Sequence, residues 1–87
     1  MKKYKIGIIG GAGYIGFNIA KHLANDFYIK ILDTKSPKYL EKDMEYIRYD
    51  IRDYNMVEKS LANIDLVIHT AIIQIFIINE KKGLAMK

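Results

Sequence analysis

Ile8-Ile9-Gly10-Gly11-Ala12-Gly13-Tyr14-Ile15-Gly16 is the stretch on which the reading of this chain turns. Gly10, Gly13 and Gly16 stand at the spacing with which a main chain wraps around a pyrophosphate. An apolar strand, Tyr4 to Ile9, feeds into the turn, and a helix-compatible stretch follows, which is the context such a motif requires. Gly10 permits the sharp reversal out of the strand. Gly13 lacks a Cβ, so phosphates can approach the amides at the helix N-terminus, where unpaired donors and the dipole favour anions. Gly16 lies one turn into the helix, where a missing side chain allows close packing on the first strand. The pattern predicts a dinucleotide site; the plainer alternative is a glycine-rich strand-to-helix turn without a ligand.

Outward from the turn, Ile15, Ile19, Ala20 and Leu23 recur at helical spacing, which predicts a helix ending near Asn25. Tyr28 to Leu32 reads as a second strand closed by Asp33, with Ser36-Pro37 marking a loop, and Glu45 to Tyr49 as a third. Asp53 is an N-cap candidate for a second helix whose residues Met56, Val57 and Leu61 share a face and which Asn63 ends. A fourth strand follows from Asp65 to about Thr70. This alternation predicts an α/β fold: a doubly wound parallel sheet joined by right-handed crossovers, with strand order 3-2-1-4. The cofactor is expected at the switch point between the first and fourth strands.

Composition bounds the rest. The 87 residues leave room for one small domain, 51% of them are hydrophobic and 28% charged, and so a packed core is expected. There is no cysteine, which excludes a disulfide framework, a thiolate metal site and a cysteine nucleophile, and is compatible with a cytoplasmic setting. The 14 Lys and Arg give a net charge of +4, but they are scattered, often beside acids, so no nucleic-acid stripe is formed. The basic start Met1-Lys2-Lys3-Tyr4-Lys5 is not a signal peptide, because the glycine turn interrupts the apolar stretch after it. No apolar run reaches the ~18 residues of a membrane span; Ile64 to Ile78 comes closest and is broken by Asp65, His69 and Gln74.

Asp33 ends the second strand at close to the spacing of an acid that hydrogen-bonds the adenosine ribose, and a carboxylate there repels a 2′-phosphate, which argues for NAD over NADP despite Lys35 nearby. With these features in place, the chain resembles the extended short-chain dehydrogenase/reductases, the NAD-dependent epimerase/dehydratase group that includes UDP-galactose 4-epimerase-like enzymes. Three segments carry the resemblance: Gly10-Gly11-Ala12-Gly13-Tyr14-Ile15-Gly16, Tyr49-Asp50-Ile51-Arg52-Asp53, and Asp65-Leu66-Val67-Ile68-His69-Thr70-Ala71. It implies a Rossmann-type fold in which Gly10, Gly13 and Gly16 shape the phosphate loop, and Tyr14 and Ile15 donate main-chain amides to the pyrophosphate. It further implies that Asp33 binds ribose, Asp50 the adenine amino group and Ile51 the adenine ring, while Thr70 and Ala71 pass beside the cofactor. His69 reads as a satisfied core histidine.

The departures from the family are as informative. Gln74 stands where many of its epimerases carry lysine, and none of the seven tyrosines is followed four residues later by lysine, the pair on which the family's proton transfer depends. No catalytic residue and no metal ligand is therefore assigned. The expectation is the N-terminal half of the fold, residues 1–87, truncated, with the substrate domain absent. Its parent would be an oxidoreductase or isomerase acting on a nucleotide sugar through NAD, and the chain alone would be inactive. A standalone nucleotide-binding or interaction module is the alternative. Ile72 to Ile78 is expected to leave an apolar patch exposed and to drive self-association through the edge of the fourth strand, with a helix near Asn79 to Lys87; alternatively the run folds back as its own strand or helix.

Overall fold

Among the described residues, the β-branched runs and the glycine turn produce a five-stranded sheet flanked by two helices. The structure is a computed structural model that describes residues 3–50, 52–70 and 74–77. Its elements are β1 (Lys5–Ile9), α1 (Tyr14–Leu23), β2 (Tyr28–Asp33), β3 (Met44–Arg48), α2 (Tyr54–Ser60), β4 (Leu66–His69) and β5 (Gln74–Ile77). The sheet order is β3-β2-β1-β4-β5. The first four strands are parallel, and their order is the expected 3-2-1-4.

Period-two alternation sorts the isoleucines onto two faces. Ile6 and Ile8 of β1 pair in register with Ile29 and Ile31 of β2 and with Leu66 and Ile68 of β4. These six form one buried layer, against which α1 sets Ala20 and Ala24. The opposite face packs Leu32, Val67 and Ile64 with Ile9, Ile47, Tyr49 and Leu61. Burial of one such side chain is worth about 1.5–3 kcal/mol, so these rows provide the main favourable term for the sheet.

Local chemistry sets the element ends. Asp53 caps α2, its Oδ1 accepting the Met56 N–H at 3.1 Å. Asn63, with φ of 63°, turns the chain toward β4 in the left-handed region that asparagine tolerates. Inside α2 the Ser60 hydroxyl donates to the Met56 carbonyl at 2.6 Å, which satisfies a fully buried polar group.

The far edge departs from the expectation of an open fourth strand. β5 pairs antiparallel with β4, from Leu66 opposite Ile77 to His69 opposite Gln74. Residues 74–77 therefore occupy the edge that was expected to mediate self-association, because a returning strand satisfies the β4 backbone groups that would otherwise face solvent. The expected helix near residues 79–87 lies outside the described residues.

Candidate functional site

The reversal of strand order places β1 between β2 and β4, and the chain leaves their carboxyl ends in opposite directions. A cleft of about 280 Å³ opens there, lined by Ile9, Gly10, Leu32, Asp33, Thr34, Tyr49, Asp50 and His69. This is the crevice in which ligands of doubly wound sheets bind.

Backbone bonds build the turn beside it. The Gly10 N–H donates to Leu32 O at 2.8 Å, Gly11 to Ile8 O at 3.2 Å and Gly13 to Gly10 O at 3.1 Å. Gly10 sits at φ of 81°, and a Cβ on it would collide with the Thr70 hydroxyl. That hydroxyl and the Thr70 amide both donate to Ile9 O, at 2.8 and 3.1 Å, and so clasp β4 to the end of β1. A Cβ on Gly16 would collide with Gly10 O and come within 2.8 Å of Gly11 Cα; the glycine thus lets α1 abut the turn itself rather than the strand. Gly13 differs: a Cβ there would meet only Gly10 O, at 3.4 Å, and would otherwise stand in open space.

α1 begins without a side-chain cap, Gly13 serving as the extended N-cap and its carbonyl accepting the Phe17 N–H at 2.9 Å. The amides of Tyr14, Ile15 and Gly16 are the first of the helix and have no partner within it. Tyr14 and Ile15 are 86% and 55% exposed, whereas Gly16 is buried. After β2, Tyr39 stacks edge-on against Phe17 with ring centroids 5.1 Å apart, which leaves Lys38 on a side pocket shared with Ala12 and Gly13. Lys38 was not singled out from sequence, since the ring contact that places it joins residues two elements apart.

Asp33 holds the turn from the other side. Its Oδ2 accepts the Ala12 N–H at 3.0 Å and its Oδ1 the Lys35 N–H at 3.3 Å. The carboxylate thus ties the glycine turn to the end of β2, a structural duty that spacing alone does not reveal, and it keeps further acceptor positions. Its carbonyl accepts from the Tyr49 amide at 2.9 Å and the Tyr46 hydroxyl at 3.2 Å, which docks β3.

Asp50 closes the third side. Its Oδ1 accepts the Arg52 N–H and Nε–H, each at 3.0 Å, and its Oδ2 accepts Nη2 at 2.7 Å. These side-chain bonds, and then the backbone bond, hold the carboxyl far below the usual carboxylate range. Ile51 and Ala71, also expected at the site, lie outside the described residues. His69 departs from the expectation of a satisfied core residue: its Nδ1 is buried with no hydrogen-bond partner among the described residues. The helix-start amides and the open space at Gly13, on the pocket that Lys38 shares, fit an anionic group, and the orphaned nitrogen of His69 leaves a polar partner unmet at the cleft.

The sequence profile described as the NAD dependent epimerase/dehydratase family matches residues 6–82. The chain belongs to that family. Among its relatives, the 3 beta-hydroxysteroid dehydrogenase/Delta 5-->4-isomerase of Vaccinia virus (strain Copenhagen) is 37% identical over 71 residues, covering 74% of this chain and 20% of the viral protein. Among solved structures, UDP-N-acetylglucosamine 4-epimerase from Methanobrevibacter ruminantium aligns with a TM-score of 0.64 at 29% identity, over 79% of this chain and 24% of that one. Uronate dehydrogenase from Agrobacterium tumefaciens, solved with NAD, aligns with a TM-score of 0.69 over 76% of this chain and 25% of that one; at 22% identity the likeness is one of fold. The chain spans 16–20% of the length of the curated relatives it matches. No helix among the described residues is long and apolar enough to cross a membrane.

Proposed function

We propose that this chain binds NAD in the cleft at the carboxyl ends of β1, β2 and β4, as the N-terminal portion of an NAD-dependent epimerase/dehydratase-type oxidoreductase. The observation that carries the proposal is the uncapped start of α1 beside Gly13, where a Cβ would stand in open space. Free amides and an absent side chain suit a pyrophosphate. In this reading Gly10, Gly13 and Gly16 shape the loop, Tyr14 and Ile15 donate amides, and Asp33 takes the adenosine ribose. Asp50 and Ile51 hold adenine, and Thr70 and Ala71 flank the cofactor. The carboxylate of Asp33 favours NAD over NADP by repelling a 2′-phosphate.

When bound, NAD supplies a hydride acceptor. The residues of this chain bind and orient it and move no proton, since none of the tyrosines has lysine four positions on. The chain alone is therefore inactive in this proposal, which also sets it in the cytoplasm and gives the longer protein a nucleotide sugar as substrate. The likeness to the UDP-N-acetylglucosamine 4-epimerase supports that substrate class. The viral relative, at higher identity, favours a hydroxysteroid as the second reading. In this proposal self-association runs through the outer edge of β5 rather than β4.

Calorimetric titration of NAD and NADP into the 87-residue chain, with circular dichroism as the check on folding, tests the proposal. NAD is expected to bind more tightly than NADP, and Gly13→Ala to retain the fold while losing at least about tenfold in NAD affinity, because the new methyl enters the phosphate path. A folded chain that ignores both dinucleotides overturns the cofactor assignment in favour of a module without cofactor.

A further inference from the structure

The adenine-side corner of the cleft carries an arrangement that the dinucleotide motif does not require. Asp50 lines the cleft, and its side chain is only 13% exposed, whereas that of Arg52 is 83% exposed. The guanidinium lies over the carboxylate from the solvent side and grips both oxygens, one through Nε and the other through Nη2. This is the fork geometry that makes arginine, and not lysine, specific for carboxylates. Arg48 adds a second guanidinium, its Nη2 3.9 Å from the same Oδ2. Two cations therefore face one anion at this corner.

A carboxylate offers about four acceptor positions. The Arg52 amide and guanidinium take three of them, two on Oδ1 and one on Oδ2. These bonds leave one acceptor position, on Oδ2, the oxygen that Arg48 also faces at 3.9 Å. A carboxylate free to rotate presents its oxygens indifferently, whereas one gripped on both presents a single acceptor in a fixed place. The two guanidiniums balance the two carboxylates, Asp33 and Asp50, that together would repel an anionic dinucleotide.

We propose that Arg52 is a positioning residue for purine selection, the fork on Asp50 leaving one fixed acceptor that distinguishes a 6-amino purine from a 6-oxo purine. The proposal rests on the reading that this cleft takes NAD with adenine at Asp50. A 6-amino group donates to that acceptor, while a 6-oxo group sets its own lone pairs against a carboxylate that stays ionised. A plain surface ion pair between residues two apart contributes little to stability and nothing to this selection.

The test compares NAD with nicotinamide hypoxanthine dinucleotide, which carries a 6-oxo group and a proton on N1 in place of the 6-amino group and bare N1, by calorimetry on the 87-residue chain. The variants are Arg52→Ala, Arg52→Lys and Asp50→Ala, each checked by circular dichroism. The intact chain is expected to prefer NAD by about tenfold, the discrimination of one charge-assisted hydrogen bond. Arg52→Ala and Arg52→Lys are expected to compress the ratio to within about threefold, since neither rebuilds the fork. Asp50→Ala is expected to abolish it. The ratio is the diagnostic quantity, because a loosened corner weakens both dinucleotides together. An Arg52→Ala chain that keeps the tenfold ratio overturns the positioning role, as does an intact chain that binds both dinucleotides equally. An intact, folded chain that binds neither overturns the NAD reading, and this inference with it.

Discussion

At the glycine turn, the contacts that set the shape run between backbone groups: Gly10 to Leu32, Gly11 to Ile8, Gly13 to Gly10. Across the same cleft, the Asp50 corner is set by side chains, with a solvent-exposed arginine gripping a carboxylate. The first arrangement stores its information in missing atoms, since Gly10 and Gly16 have no room for a Cβ. The second stores it in charge. Steric exclusion is indifferent to salt and pH, whereas an exposed ion pair responds to both. One wall of the cleft is thus rigid by construction and the other adjustable.

The sharpest way to break the rigid wall is Gly16→Ala. The methyl collides with Gly10 O, a backbone atom that cannot swing aside. Stability is expected to fall by about 3 kcal/mol, a drop of more than roughly 10 °C in midpoint by thermal circular dichroism. A midpoint within 2 or 3 °C of the parent chain, on the order expected of an unstrained surface change, means that the turn yields where the geometry says it cannot.

Asp33 belongs to both walls, and two substitutions separate its duties. Asp33→Ala removes the acceptor for the Ala12 and Lys35 amides and is expected to cost about 1–2 kcal/mol. Asp33→Asn keeps one acceptor, for the Ala12 amide, while losing the charge and setting an NH2 beside the Lys35 amide, so the loss of stability is smaller than in Asp33→Ala and the preference for NAD over NADP shrinks by about tenfold. Equal loss of stability in the two variants would put the carboxylate's role in its charge alone.

A smaller effect comes from Lys30, which lies in the middle of β2 with only 6% of its surface exposed. Burial lowers its pKa from 10.5, partly opposed by Glu45. The unfolded chain therefore holds this proton more tightly, and stability rises with pH between the lowered value and 10.5. Lys30→Met is expected to raise the melting midpoint by a few degrees at neutral pH. That gain should shrink as pH rises from the lowered value to 10.5, above which the lysine of the parent chain is neutral in both states. A variant less stable than its parent at pH 7 would show that the ammonium is better satisfied than its burial implies.

The adjustable wall yields the smallest change in stability. Because Arg52 holds the Asp50 pKa down, the contribution of the pair is fully present above the ordinary carboxylate value and is lost only as pH falls through the lower, folded value. Lowering the pH from 7 to 5 is therefore expected to leave the corner unchanged, and raising salt to 1 M to shift the midpoint by less than about 2 °C while weakening NAD binding. Marked destabilisation between pH 7 and 5 points to a group other than Asp50.

Much of this molecule is local chemistry and was legible as such. The glycine spacing, the short apolar runs of β1, β2 and β4, and the Asp53 cap each act within a few residues, so element types and the parallel order 3-2-1-4 followed from pattern alone. Other features join residues far apart in the chain and carry no local signal. Asp33 reaches back to the Ala12 amide, Thr70 clasps the end of β1, Tyr39 brings Lys38 to the start of α1, and His69 keeps a buried nitrogen unpaired. The apolar run after β4 was compatible with an exposed patch, a strand or a helix, and pairing with β4 decided for a strand at residues 74–77. The sequence by itself determined where the backbone can bend and which face of each strand is apolar, because glycine sterics and side-chain period are properties of neighbouring residues. Only the tertiary structure decided which polar atoms those bends bring together, because a hydrogen bond across two elements exists only once both have packed against the same sheet.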